Sequence, residues 1–224
     1  DTDIDSHLSL PVIKYDYTRL DSLELVPFRS AIDNGVNSIM SAHISFPKIS
    51  SDSTLPATMD VNILNRILRD TLNFEGVVVS DGLDMRGISS HFSPGEAVVK
   101  ALKAGVDLML LSTDELTALH EIEQAVTSGQ ISEKRIDNSV RKLLNWKKQQ
   151  GLFKDNKINI DDLSADINTR NNQLIAEEIS RKSLTLLKNK GDILPIRASE
   201  FPKIMVVSVS DGKNGHTGSS FVSQ

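Results

Sequence analysis

Strand-like apolar runs alternate along this chain with stretches in which apolar residues recur at helical spacing. Val36 to Ile44 and Gly105 to Leu111 read as strands, and Val77 to Ser80 as a short, continuously apolar one that stops at Asp81. A β-branched run of that kind suits a strand buried on both faces, as in parallel sheets. Leu23 to Asn34 reads as a helix with Pro27 in its first turn and Gly35 closing it. Val61 to Leu72 has apolar residues at 61, 63, 64, 67, 68 and 72, a helical stripe. Ser93-Pro94-Gly95-Glu96 is a capping box that opens a helix to about Lys103. Ser112-Thr113-Asp114-Glu115 is a second box, opening a helix to about Ser128. Ser132 caps a helix ending near Gln150, before Gly151. Strands and helices alternating at this spacing predict parallel α/β architecture.

Past Gly151 the pattern thins. Lys154 to Asn172 is rich in Asp and Asn and reads as a surface linker. Gln173 to Ser183 is helical, Leu184 to Leu187 starts a strand or an extended segment, Lys203 to Ser210 is a strand, and Gly212 to Ser220 a loop.

Composition narrows the class without deciding it. The 224 residues are 39% hydrophobic and 25% charged, an ordinary globular balance. The net charge of −5, with no basic cluster interleaved with aromatics, argues against nucleic-acid binding. No apolar run approaches the roughly 18 residues of a membrane helix. The absence of cysteine excludes disulfides and thiolate chemistry. His91, His120 and His216 lack metal-ligand spacing, and no phosphate loop or nicotinamide site is apparent, so no cofactor and no metal are expected.

Two segments carry candidate chemistry. Asp81 ends the apolar run, where parallel α/β folds place their reactive groups. A carboxylate there can be a nucleophile, a base or a metal ligand, or it can simply cap the next helix. Asp5 and His7 are two residues apart and share one side of an extended segment, so the carboxylate can fix the imidazole tautomer and stabilise its protonated form. That makes a general acid/base near neutral pH, although Asp-x-His is also an ordinary polar-loop sequence.

Together these segments resemble the family 3 glycoside hydrolases. Asp-Thr-Asp-Ile-Asp-Ser-His-Leu-Ser-Leu-Pro (1–11) is similar to the acid/base loop of the β-N-acetylglucosaminidase branch, which has Gly-Asp-Thr-x-x-Asp-Ser-His. Ser38 to Ile44, Gly76 to Met85 and Ala104 to Leu110 resemble that branch's next barrel strand, its nucleophile strand and its last barrel strand. Ser183 to Asn189 with Leu194-Pro195 resembles the entry to a second domain. The matches fall in family order over most of the chain.

The resemblance implies the C-terminal part of a (β/α)8 TIM barrel over 1–152, a linker and helix over 153–182, and the start of a second α/β domain over 183–224. It implies a retaining exo-glycosidase acting on terminal β-linked N-acetylglucosamine, with Asp81 as nucleophile, His7 as acid/base and Asp5 orienting His7. His43 is a candidate for the sugar pocket or a satisfied histidine at the barrel mouth, Met85 for the pocket wall or the core, and Asp84 for capping the helix after the nucleophile in preference to sugar binding; Asp107 has no assigned role. An imidazole repels phosphate less than a carboxylate does, which keeps phosphorolysis in view. Another sugar specificity, or an inactive sugar-binding fragment, are the competing readings. Family members carry a Lys-His-Phe-Pro-Gly-His-Gly segment before the acid/base loop, so an internal fragment is expected. With about three of the eight strands a barrel needs, these residues alone are expected to aggregate or stay partly unfolded and to be inactive. The expected partner is a carbohydrate; oligomeric state is open, as is the compartment, whether periplasmic, extracellular or cytoplasmic.

Overall fold

A computed structural model of the protein describes residues 2, 4–50, 52–155, 157–197, 199 and 203. Contacts divide the chain into two units, residues 1–156 and 157–224. The expected strand at 203–210 and loop at 212–220 lie outside the described residues, Lys203 apart.

The first unit is built on three parallel strands, β1 (Ser38–Met40), β2 (Val77–Gly82) and β3 (Leu108–Leu110), in spatial order β1-β2-β3. Ser38, Ile39 and Met40 align with Val77, Val78 and Val79. The central strand is the apolar run read from the sequence, and Val77, Val78, Val79 and Ser80 are all buried. β1 and β3 are shorter than their apolar runs because the chain leaves the ladder early. After Ser41, whose N–H still bonds to Val79 O at 2.8 Å, it turns toward Thr58.

The first helical region starts earlier than Leu23. It comprises α1 (Tyr17–Arg19), a π-helical stretch Leu20–Glu24 and α2 (Val26–Asp33). Asp16 opens it by accepting from Arg19 N at 3.0 Å. The stripe at 61–72 forms a helix of π type, Asn62–Thr71, in which Leu72 N reaches back five residues to Ile67 O at 2.9 Å. Its buried positions are the expected ones, including Leu64, Ile67 and Leu68.

The remaining helices of this unit are α3 (Arg86–Ser89), α4 (Pro94–Ala104), α5 (Glu115–Thr127) and α6 (Glu133–Gln149). Ser93 and Ser132 cap α4 and α6 as read, accepting from Glu96 N and Arg135 N. α5 departs from expectation. Its cap is Asp114, which accepts from Thr117 N and Thr117 Oγ1 at 3.0 and 2.7 Å, while Ser112 bonds back to Asp114. A carboxylate serves two donors at once, and the hydroxyl two positions earlier is left outside the helix.

Two cores hold the sheet. Val78, Val106, Ala101 and Ala104 pack with Leu64 and Leu68 under the strands. Met59, Leu83, Ile88, Val98 and Ala118 pack beyond the C-terminal end of β2 and fix the segment that follows it. Burial of a side chain such as Leu83 or Ile88 contributes roughly 1.5–3 kcal/mol.

At the opposite end, just before β3, Asp107 is the centre of a buried ionic cluster. Its Oδ2 lies 2.8 Å from Arg69 Nη2, 3.1 Å from Val78 N and 3.4 Å from Lys142 Nζ. Oδ1 takes a hydrogen bond from Ser139 Oγ and lies 3.4 Å from Arg135 Nη1. The two guanidiniums are tied further to Phe74 O, Gly76 O, Leu102 O and Val106 O.

In the second unit the expected linker holds a 3₁₀ turn, Ile160–Asp162, and α7 (Leu163–Asp166), with Asn159 accepting from Asp161 N. α8 (Arg170–Ser183) begins at Thr169, whose Oγ1 accepts from Asn172 N. The chain beyond Ser183 forms no strand among the described residues. No described helix is long and apolar enough to cross a membrane.

Candidate active site

Chemistry-bearing side chains collect at the C-terminal end of β2. There the strand slips against β3: Val79 aligns with Leu108 but Gly82 with Leu110, so three steps on β2 match two on β3. The extra residue is a β-bulge, a device that re-aims side chains at strand ends. Ser80 fills the gap in the ladder, its hydroxyl accepting from Leu110 N at 3.0 Å. Asp81 therefore stands at the bulge, partly exposed between two buried residues, and its Oδ1 accepts from Gly82 N at 2.8 Å.

The turn after Asp81 is held from beneath by His43. Its side chain is fully buried, with Nδ1 2.9 Å from Thr58 Oγ1 and Nε2 2.9 Å from Gly82 O. A carbonyl only accepts, so Nε2 carries the proton and Nδ1 is left to accept from Thr58. Burial holds the His43 pKa below the ordinary imidazole value, against the opposing pull of Gly82 O and of Asp81 and Asp84. The ring is thus a neutral strut under the nucleophile candidate, and both nitrogens face protein groups.

Asp84 does not cap the next helix. The residue at the start of α3 is Met85, with no side-chain cap bond. The Asp84 carboxylate instead folds back over Gly82, its Oδ1 2.7 Å from where a Cβ on that glycine would stand. Met85 is buried beside it.

Asp5 and His7 pair as the sequence suggests, but through a turn at residues 6–8 and not an extended segment. Asp5 Oδ1 takes His7 N at 2.9 Å and lies 2.8 Å from His7 Nδ1, while Asp5 O accepts from Leu8 N and Ser9 N. This fixes the proton on Nδ1 in the neutral ring and makes Nε2 the acceptor. The Asp5 hydrogen bond and charge raise the His7 pKa, and Asp81 and Asp84 add to the effect. His7 in turn lowers the Asp5 pKa, chiefly through its backbone N–H. The dyad is open to solvent, with 71% of the His7 side chain exposed.

The loop that carries the pair is docked on the segment that follows β2. Gly87 N donates to Ser6 O at 3.2 Å, and Ile13 N and Ser45 N bond to Ser45 O and Pro11 O at 2.9 and 2.8 Å. Gly87, Thr58 and Ser80 were not singled out in the sequence. Only Gly87 left a signal there, as an isolated glycine in a helical stretch. Among the described residues, no three His, Asp or Glu side chains gather as metal ligands.

Parallel βα units thus present a partly exposed carboxylate, Asp81, at the end of β2, and the Asp5–His7 pair lies close enough for the Asp81 charge to help raise the His7 pKa. The profile of the glycosyl hydrolase family 3 N-terminal domain matches residues 1–146, and the chain belongs to that family. It is 41% identical to a family 3 β-N-acetylglucosaminidase of Paenibacillus sp. FPU-7, covering 85% of this chain and 36% of that one, with a TM-score of 0.75. It is 27% identical over 216 residues to a β-N-acetylglucosaminidase/β-glucosidase of Cellulomonas fimi, covering 93% of this chain and 38% of that protein. It is 31% identical over 207 residues to a β-xylosidase of Formosa agariphila, covering 88% of this chain and 27% of that protein. The chain thus spans little more than a third of the length of the Cellulomonas relative.

Proposed function

We propose that these residues form the reacting centre of a retaining exo-glycosidase that removes terminal β-linked N-acetylglucosamine. The observation that carries this reading is the docking of a hydrogen-bonded Asp5–His7 pair, through Ser6 and Gly87, against the segment that bears Asp81. In the first step a carboxylate oxygen of Asp81 attacks the anomeric carbon. The glycosidic C–O bond breaks, and His7 passes a proton to the leaving oxygen. In the second step water, losing a proton to His7, attacks the same carbon and releases Asp81. Two inversions give net retention. Asp5 stabilises the imidazolium needed in the first step. The buried His43 strut keeps Gly82, and with it Asp81, in place between the two steps. The N-acetyl sugar is favoured by the Paenibacillus relative, whereas the xylosidase name of another relative makes the sugar the part to test.

The test is to treat the full-length protein with a fluorinated N-acetylglucosaminyl donor and map the added mass. The expected result is a label on Asp81. A label there only with a fluorinated glucosyl or xylosyl donor keeps the mechanism and changes the sugar, and a label elsewhere removes Asp81 from the reading.

Asp5→Asn is expected to move the pH profile in a defined direction. Asp5 raises the His7 pKa, so the proton donor stays charged to higher pH in the parent protein. Without that carboxylate the basic limb of kcat/KM on substrates with poor leaving groups shifts to lower pH. An unmoved basic limb would show that His7 is not the proton donor.

A further inference from the structure

We propose that Gly87 is a positioning residue for the proton donor, the seat on which the His7 loop rests against the nucleophile element. The inference builds on the assignment of His7 as acid/base given above. Gly87 acts through the loop backbone and touches no reacting atom. Its N–H donates to Ser6 O at 3.2 Å, one residue before His7. The missing side chain matters as much as the N–H. A Cβ at this position would stand 3.1 Å from Ser6 O and 3.2 Å from Ser9 O, with His43 Cβ behind it at 3.6 Å. The two carbonyls bracket His7, so anything that pushes on them moves the imidazole.

Which side yields follows from burial. α3 stands on the core through Ile88, which is fully buried, and through Leu83 just ahead of it, and it backs onto the His43 strut. The loop's Leu8 and Ser9 are exposed, and its next tie is to Ser45 at residues 11–13. A methyl group at position 87 therefore displaces the loop by a few tenths of an ångström and leaves the helix in place. Misplacement on this scale weakens proton transfer, which demands hydrogen-bond geometry in the transition state.

Nothing in the local backbone requires glycine. Gly87 is not among the positive-φ glycines, and it lies in a helical turn, where alanine is the better residue. On backbone conformation alone Gly87→Ala would be harmless. The positioning view expects a selective catalytic defect in a protein of undiminished stability.

The experiment compares the parent full-length protein, His7→Ala and Gly87→Ala on two aryl N-acetylglucosaminides. One carries phenol, which needs a proton to leave, and the other 2,4-dinitrophenol, which does not. Gly87→Ala is expected to lower kcat/KM on the phenyl glycoside by about 10-fold or more, and on the dinitrophenyl glycoside by less than about 3-fold, in the manner of weakened acid catalysis. The ratio of the two rates in one sample is independent of how much enzyme is folded, so a poorly folding variant still gives an answer. Gly87→Ser should shift the ratio the same way. If His7→Ala discriminates between the substrates and Gly87→Ala does not, the acid/base assignment stands and the positioning role falls. If His7→Ala fails to discriminate, the assignment falls and takes the positioning role with it.

Discussion

Asp81→Asn is expected to lower kcat/KM for aryl-glycoside hydrolysis by about 10⁴-fold or more, leaving the melting temperature within a few degrees of the parent value. A loss of that size corresponds to about 5 kcal/mol of transition-state stabilisation. The carboxamide occupies the same space at the bulge and can still accept from Gly82 N, so the sheet has no reason to change. What it cannot do is form a stable ester with the anomeric carbon. Steady-state rates of the full-length protein with the amide and with Asp81→Ala check the expectation. Adding azide to the alanine variant should restore turnover and give a glycosyl azide of inverted configuration, because the small anion enters the vacated space and one displacement replaces two. Activity within 10-fold of the parent in Asp81→Asn would transfer the nucleophile role to another group.

The second large effect concerns stability. Asp107→Ala is expected to destabilise the first unit by about 3–5 kcal/mol, because it leaves buried cations without their counter-charge. On a unit of this size that is on the order of 10 °C in melting temperature. Asp107 is almost fully buried and faces Arg69, Arg135 and Lys142 at once. It also receives Ser139 and Val78 N, so its removal orphans a backbone donor inside the sheet. Burial alone would push its pKa up. The hydrogen bonds from Ser139 and Val78, with Lys142 and Arg69, overcome this and hold the carboxyl below its ordinary value of 3.8. The sign follows from that depression. The unfolded chain takes up the proton more readily, so the stabilisation is complete above about pH 4 and fades as pH falls through the lowered folded value. Denaturant melts of parent and variant at pH 7 and pH 3 check both statements: a gap at pH 7 that narrows at pH 3. Equal stability of the two proteins at pH 7 would remove Asp107 from the account of the fold. The cluster sits at the end of the sheet away from Asp81, so unlike Asp81→Asn this change should spare kcat in whatever fraction remains folded.

How much of this could be read from the sequence depends on how local each feature is. The buried β2 was legible because both covered faces leave a run of valines. The caps at Ser93 and Ser132 were legible because hydroxyl and recipient N–H lie within one turn. Asp5 and His7 were legible as a pair for the same reason, though their backbone is a turn and not extended. The misses involve a second segment. The bulge at Ser80–Asp81 exists only because Leu110 meets Gly82, and a valine run carries no mark of its neighbour's register. Asp107 gathers partners from positions 69, 78, 135, 139 and 142, and no spacing within Ala-Gly-Val-Asp announces them. Ser112 reads as the α5 cap because Glu115 completes its box, whereas Asp114 has Thr117 three residues on and no box, so only the observed bonds reveal it. The π-type winding of Asn62–Thr71 is invisible to a stripe that places its buried residues equally well on an α-helix.

The Ser6–Gly87 contact separates what is fixed in this centre from what is adjustable. The nucleophile candidate is anchored in a strand whose preceding residues are walled in, while the proton-donor candidate rides on an exposed turn fastened by main-chain bonds through Ser6 and, further on, Pro11 and Ile13. Because those bonds ask nothing of the side chains at 6, 8 and 9, that turn is the natural place for lineages, or for directed evolution, to retune which leaving groups are accepted. The sheet and its carboxylate can stay as they are while the aglycone side drifts.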